Sequence, residues 1–220
     1  MTLSPGRRLA LLDLARRARI AVVEDDFDHE LHFEGRPVLP LASVDHAGVV
    51  VYVGTLAKVL APGLRLGYVA GPRTLVDAVL SHRMLVDRQG DQAVECAVAE
   101  LLEDGEVQRH ARRARRIYAT RRAFLVDALR RSLGGVLCFD VPAGGMALWA
   151  RVDEHVDVDA WCRRALAQGV AFHAGRRFTL DGRPSPHARF GFTALTEPEL
   201  AEGVRRLVRS LPARRAAAHR

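Results

Sequence analysis

The sequence predicts an α/β protein. Helical apolar periodicity alternates with short β-branched runs from Ser4 to Pro72. Three longer helical patterns follow, and beyond Gly134-Gly135 the texture changes to short strands interleaved with two helices, the pattern of a compact α/β sandwich.

Ser4-Pro5 is an N-cap and first-turn signal, and Leu9, Leu12 and Leu14 give the segment that follows an apolar stripe ending near Arg19. Ile20 to Val23 reads as a short buried strand closed by Glu24-Asp25-Asp26. Residues 25–47 carry Gly35, Pro37 and Pro40 and read as a loop. Val49 to Val53 is a second strand ending in Gly54-Thr55, and Leu64 to Ala70 a third, bounded by Pro62-Gly63 and Gly71-Pro72. Helices are predicted over about 73–87, 91–103 and 106–133, the last long enough to bridge two subdomains. Strands near 136–141, 146–152, 170–173 and 188–193 then frame helices near 157–168 and 197–210. The expected organisation is a first domain over 1–105, a second over 106–212 and a frayed Ala/Arg-rich basic tail over 213–220. There is no internal repeat and no long linker.

A chain of 220 residues can bury a real core, and its balance of 49% apolar to 27% charged residues is that of a globular protein. No apolar run approaches a membrane span, and the arginines among the first leucines make a poor secretion signal, so the expected location is cytoplasmic with no membrane contact. Cys96, Cys138 and Cys162 are odd in number and far apart, which suits small core residues and neither disulfides nor a metal pair. The net charge of +7 leaves two readings of the arginines between Arg109 and Arg122. They line a solvated helix face or a nucleic-acid surface; Ile117, Phe124, Leu125 and Leu129 recur among them at helical spacing, which favours the first.

Among 33 basic residues Lys58 is the one lysine. Arginine serves for surface charge and ion pairs, but it cannot deprotonate and condense with an aldehyde as a primary amine can. Three strand ends carry unusual residues: Asp25 and Asp26 after the first, Thr55 and Lys58 after the second, and Arg65 opening the third. Ligands collect at the carboxyl ends of strands in open α/β sheets, although Arg65 needs a turn to bring it there. An amine, a carboxylate and a cation together suit pyridoxal 5'-phosphate. The amine forms an imine, the carboxylate keeps the pyridine nitrogen protonated, and Arg65 with the Thr55 hydroxyl binds phosphate. Singly, each residue is better read as an ordinary loop or surface group; jointly, the order and spacing of the set argue for the site.

Glu24-Asp25-Asp26-Phe27-Asp28, Gly54-Thr55-Leu56-Ala57-Lys58 and Pro62-Gly63-Leu64-Arg65-Leu66-Gly67-Tyr68 resemble motifs of MocR/GabR-type proteins. These join a winged-helix DNA-binding domain to a fold-type I aminotransferase domain, and enzyme relatives such as 2-aminoadipate-type aminotransferases lack the DNA-binding part. His110 to Tyr118, Pro142-Ala143-Gly144-Gly145-Met146 and Gly191-Phe192 to Leu195 extend the resemblance over residues 4–211. It implies the C-terminal half of the fold-type I large domain followed by the small α/β sandwich domain. It further implies Lys58 as Schiff-base lysine, Asp25 as partner of the pyridine nitrogen, Thr55 and Arg65 as phosphate ligands, and Arg189 as the arginine that grips the substrate carboxylate. Phe27 replaces a family tyrosine whose hydroxyl bonds the cofactor, and Ala57 a serine that binds phosphate; both changes weaken binding without abolishing it. The family's P-x-H-Q-x-P-T-G segment, its Gly-rich phosphate turn and its ring-stacking aromatic belong upstream of Thr2, so the expectation is a fragment, a truncated product or a degenerate homologue.

Three functions stay open under this resemblance. One is a class I/II aminotransferase acting on an amino acid or small amine. Another is the effector-sensing part of a transcriptional regulator, contacting DNA only if fused to or paired with a winged-helix domain. The third is a catalytically dead partner in a dimer. A homodimer is the family expectation. No metal is expected: in the His29–His32 loop, Leu31 stands where a calcium loop needs glycine, and His-Glu-Leu-His is one residue short of HExxH. Gly144-Gly145 lacks nucleotide-loop spacing.

Overall fold

A computed structural model describes residues 3–35 and 39–212; Pro37 of the expected loop and the expected basic tail lie outside the described residues. The chain forms two compact units, Met1–Ala114 and Arg115–Arg220, and passes from one to the other inside a long helix.

The first unit opens with α1 (Pro5–Ala18), which has Pro5 in its first turn and ends at Arg19 in the left-handed region (φ 53°). There the Ile20 amide closes back on the Ala15 carbonyl at 3.1 Å. A three-stranded sheet follows, ordered β1 (Val22–Asp26), β2 (Val50–Thr55), β3 (Gly67–Ala70). β1 runs parallel to β2 with Asp25 opposite Val53, and β3 runs antiparallel with Gly67 opposite Thr55. The first strand therefore departs from expectation: it includes the acidic residues instead of stopping at them, and it is not buried, Val23 being 66% exposed. Glu24 and Asp26 are tolerated in the strand because each has a partner, Asp26 the Tyr52 hydroxyl of β2. Glu24 accepts the amides of Leu41 and Ala42 at 2.6 and 3.0 Å, which also anchors the 3₁₀ turn Leu41–Val44. β3 starts later than predicted because Pro62–Leu64 forms a 3₁₀ turn and Arg65 adopts a left-handed conformation (φ 51°), which breaks an extended run.

Three helices complete the pattern: α2 (Arg73–Val86), α3 (Gln92–Glu103) and α4 (Glu106–Leu133). Asp91 caps α3 by accepting the Val94 amide at 3.2 Å. Val59, just after Lys58, packs with Val107 and Ala111 of α4, so the turn bearing the lysine is pinned to a helix. The α2 helix has no buried residue, and Leu85 and Val86 at its end are 86% and 85% exposed.

The second unit holds a four-stranded antiparallel sheet in the order β4 (Leu137–Cys138), β5 (Ala147–Val152), β7 (His187–Gly191), β6 (His173–Ala174), with α5 (Val158–Ala167) and α6 (Glu197–Arg209). β5 and β7 alternate strictly, burying Leu148, Ala150, Val152, Ala188 and Phe190 on one face. Trp161 of α5 is fully buried against them, and its indole N–H donates to the Leu207 carbonyl and Ser210 hydroxyl at 3.2 and 3.0 Å.

The cysteines are not the core residues predicted. Cys96 and Cys138 are exposed and Cys162 half-buried. Cys96 misses the face of α3 that buries Val98, and Cys138 alternates outward from buried Leu137. Within the arginine-rich helix, Arg122 is buried and donates to the Pro142 carbonyl, and Arg121 donates to the Thr193 carbonyl; neither belongs to a solvated face. Among the described residues no helix is long and apolar enough to cross a membrane.

Candidate cofactor site

Alternation along β1 and β2 sorts the acidic pair. Asp25 shares the open face of the sheet with Val23, Val51, Val53 and Thr55, while Asp26 shares the closed face with Val50, Tyr52 and Gly54. Asp26 is committed: it accepts the Tyr52 hydroxyl at 3.0 Å and lies 3.3 Å from His29 Nδ1. Asp25 is exposed, and among the described residues its carboxylate makes no hydrogen bond or ion pair. Burial, then the Asp26 charge, pushes the Asp28 carboxyl up.

Beyond β2 the chain turns sharply. The Thr55 hydroxyl accepts the Ala57 amide at 3.1 Å and donates to the Leu66 carbonyl at 3.3 Å, and the Leu56 amide bonds the same carbonyl at 3.0 Å. The turn is closed by the Leu60 amide on the Leu56 carbonyl at 2.8 Å, and Lys58 projects from it, exposed. Because β3 is antiparallel, its start lies beside the end of β2. The left-handed residue Arg65 thus emerges at the same sheet end as Lys58, also exposed. Two glycines permit this close approach. A Cβ at Gly67 would fall 2.8 Å from the Gly54 carbonyl, and one at Gly54 would fall 2.3 Å from the Tyr68 ring.

The ends of three adjoining strands thus present an unpaired amine, carboxylate and guanidinium among the described residues. Phe27, 45% exposed just past β1, lines a cavity of about 380 Å³ with Asp26, Tyr52 and Tyr68 on the closed face; Asp25, Lys58 and Arg65 do not line it. Arg189 belongs to the second unit, half-buried on β7, opposite Trp149 on one side and His173 on the other. Burial, then Arg177 and Arg189, pushes the His173 imidazole down. No grouping of three or more His, Cys, Asp or Glu side chains suited to a metal ion occurs among the described residues.

Sequence reasoning missed Tyr52, Tyr68 and Gly54. The signal was a tyrosine inside an otherwise aliphatic buried run: a phenol placed there needs a polar partner.

The family model of the class I and II aminotransferases matches residues 3–207. An aromatic-amino-acid aminotransferase of Thermococcus litoralis is 30% identical over 211 residues, 96% of this chain and 51% of that protein. The probable rhizopine catabolism regulatory protein MocR of Rhizobium meliloti is 34% identical over 203 residues, 91% of this chain and 41% of that protein. Among solved structures, the kynurenine aminotransferase of Pyrococcus horikoshii superposes with a TM-score of 0.88 at 28% identity, covering 96% of this chain and 52% of that one. The alpha-aminoadipate aminotransferase of Thermus thermophilus, solved with N-(5'-phosphopyridoxyl)-L-leucine, superposes with a TM-score of 0.86 at 29% identity, covering 94% and 54%. The chain spans about half the length of these relatives. By the extent of that match the chain belongs to the class I and II aminotransferase family, with the α/β architecture of a fold-type I domain.

Proposed function

We propose that this chain carries the lysine-bearing part of a pyridoxal-phosphate-dependent aminotransferase acting on an amino acid or small amine. The observation that carries the reading is the placement of Asp25, Lys58 and Arg65, unpaired among the described residues, on adjoining strand ends. Their chemistry fits the cofactor: an amine for its aldehyde, a carboxylate for its ring nitrogen and a forked cation for its phosphate. When bound, the cofactor supplies an electron sink that allows an amino group to pass between carbon skeletons.

In this reading Lys58 would hold the aldehyde and then move a proton at Nζ, and Asp25 would hold a proton on the ring nitrogen; among the described residues neither has an ion-pair partner. Arg65 neutralises phosphate charge, and the Thr55 hydroxyl, now donating to Leu66, would turn its proton to a phosphate oxygen. Phe27 offers an apolar ring where a hydroxyl would otherwise steady the phenolic oxygen. Arg189 would take the substrate carboxylate. Location in the cytoplasm and assembly as a homodimer belong to the same reading.

A second reading is the effector-sensing part of a transcriptional regulator, favoured by the match to MocR over 91% of this chain. DNA contact would then require a winged-helix part on the same or a paired polypeptide.

The two share a cofactor and differ in turnover. Pyridoxal phosphate titrated into the protein is expected to produce a visible absorption band in the wild type and none in Lys58→Ala. No band in the wild type would remove the cofactor from the account. With the band present, oxo-acid formation from a panel of amino donors marks the enzyme, and band shifts without product mark the sensor.

A further inference from the structure

Each strand end that carries a candidate cofactor residue is gripped from the closed face by one connected set of side chains. Tyr52, 8% exposed, donates its hydroxyl proton across the sheet to Asp26 at 3.0 Å, tying β2 to β1. Beside it stands the ring of Tyr68, its centroid 5.9 Å from that of Tyr52, packing β3 against β2. Tyr68 also lies across Gly54 so closely that no side chain fits beneath it. Burial, then these two contacts, pushes the Tyr52 phenol far above its usual range, which keeps it a neutral donor.

The placement of this set is what gives it meaning. Asp26 adjoins Asp25 in the chain, Gly54 adjoins Thr55 and precedes Lys58 by one turn, and Tyr68 follows Arg65 by three residues. A generic packing contact would not be expected to touch all three strands next to the residues that bear chemistry. Val59 pins the Lys58 turn to α4, but every residue of β3 and two of the five in β1 are exposed, leaving little side-chain packing on those two strands to hold their ends in register.

We propose that Tyr52 and Tyr68 are positioning residues, and that the Asp26–Tyr52–Tyr68 set aligns Asp25, Lys58 and Arg65 for pyridoxal phosphate. The proposal rests on the cofactor reading above. Losing a hydrogen bond to a carboxylate at this point should weaken cofactor binding by about tenfold, the scale of one charge-assisted bond.

The test measures pyridoxal phosphate affinity and the position of the visible band in five proteins: wild type, Tyr52→Phe, Tyr68→Phe, Asp26→Asn and Val50→Ala. Tyr52→Phe is expected to bind about tenfold more weakly with a shifted band, while Tyr68→Phe, which keeps the ring over Gly54, and Asp26→Asn, which retains an acceptor for Tyr52, stay within about threefold of wild type. Val50 is 3% exposed on the same closed face but carries no polar group. Its alanine variant is expected to lose thermal stability and yet keep band position and affinity within about twofold. Equal losses of affinity in Val50→Ala and Tyr52→Phe at matched loss of melting temperature would reduce the tyrosine to a structural role. Wild-type binding with an indifferent Tyr52→Phe overturns this proposal alone, whereas no binding by the wild type overturns it together with the cofactor reading.

Discussion

Phe27 presents a half-exposed ring at the end of β1, one residue past Asp26. A hydroxyl there would donate to the cofactor's phenolic oxygen, and a donor to an anion favours whichever state carries more negative charge. In Phe27→Tyr the pH at which the visible band is lost should therefore move down, and affinity should rise about fivefold, the worth of one ordinary hydrogen bond. Spectrophotometric titration across pH checks the direction; an upward shift would mean that residue 27 does not face the phenolic oxygen. Asp25 can be judged against its neighbour in the same way. Asp25→Asn should weaken cofactor binding tenfold or more, on the order of a charge-assisted hydrogen bond, because it removes an otherwise unpaired carboxylate. Asp26→Asn should not. The converse ranking, measured by the same titration, would transfer the ring-nitrogen role to the closed face.

At the scale of elements, α6 and α5 set the stability of the second unit. Glu199 accepts both the Thr196 amide and hydroxyl at 2.7 Å, and these bonds, the backbone one foremost, hold its carboxyl below the usual range. Glu202, bonded by Arg206 and then Arg205, is drawn down from 4.5 to about 2. Carboxyls whose folded values are depressed contribute stability that is complete above their unfolded value and is lost as pH falls through the folded one. The urea midpoint should thus decline between pH 4.5 and about 2, and Glu202→Gln should flatten that decline while leaving its shape at neutral pH unchanged. Removing Trp161 acts through packing instead: Trp161→Ala should cost about 3–5 kcal/mol, read as a lowered denaturant midpoint of the second unit.

Elements with strong periodicity and a recognisable end were legible in the sequence. The α3 and α4 helices were read almost to the residue, because Asp91 caps one and Gly134-Gly135 stops the other. β1 was misjudged because its carboxylates signal a strand end only if unpartnered, and their partners, residues 41 and 42 and Tyr52, are remote in sequence. The left-handed turn at Arg65 was hidden because an arginine gives no hint of it. Lys58 stands out because it is the one lysine, whereas Asp25 is one of 26 acidic residues and is marked only by its place at a strand end. Tyr52 carries a weaker signal, a phenol inside a valine run, which asks for a polar partner without saying that the partner is Asp26 of another strand.

Across the whole chain the two units differ in depth of packing. Trp161, Phe192, Leu129, Leu133, Leu148 and Val152, all in the second unit, are among the largest fully buried side chains, whereas the first unit contributes Leu31 to that set and exposes Leu80, Met84, Leu85 and Val86. A unit with fewer buried apolar contacts opens more readily. Amide hydrogen exchange should accordingly run faster in residues 22–70 than in the second unit. Pyridoxal phosphate should slow it in 22–70 and leave the second unit unchanged, since every candidate cofactor ligand lies in the first. Uniform protection of both units would contradict that assignment.

Lys58 is proposed as the amine that receives the cofactor, and the composition of the chain makes this assignment easy to test. Lys58 is the one lysine, so the primary amines available are its Nζ and the amino terminus. Incubation with pyridoxal phosphate, reduction with borohydride and peptide mass mapping should find the adduct on the peptide containing Lys58, saturating at low cofactor concentration and abolished in Lys58→Arg. An adduct confined to the amino terminus, or one on Lys58 that forms no more readily than on an unfolded chain, would contradict the account.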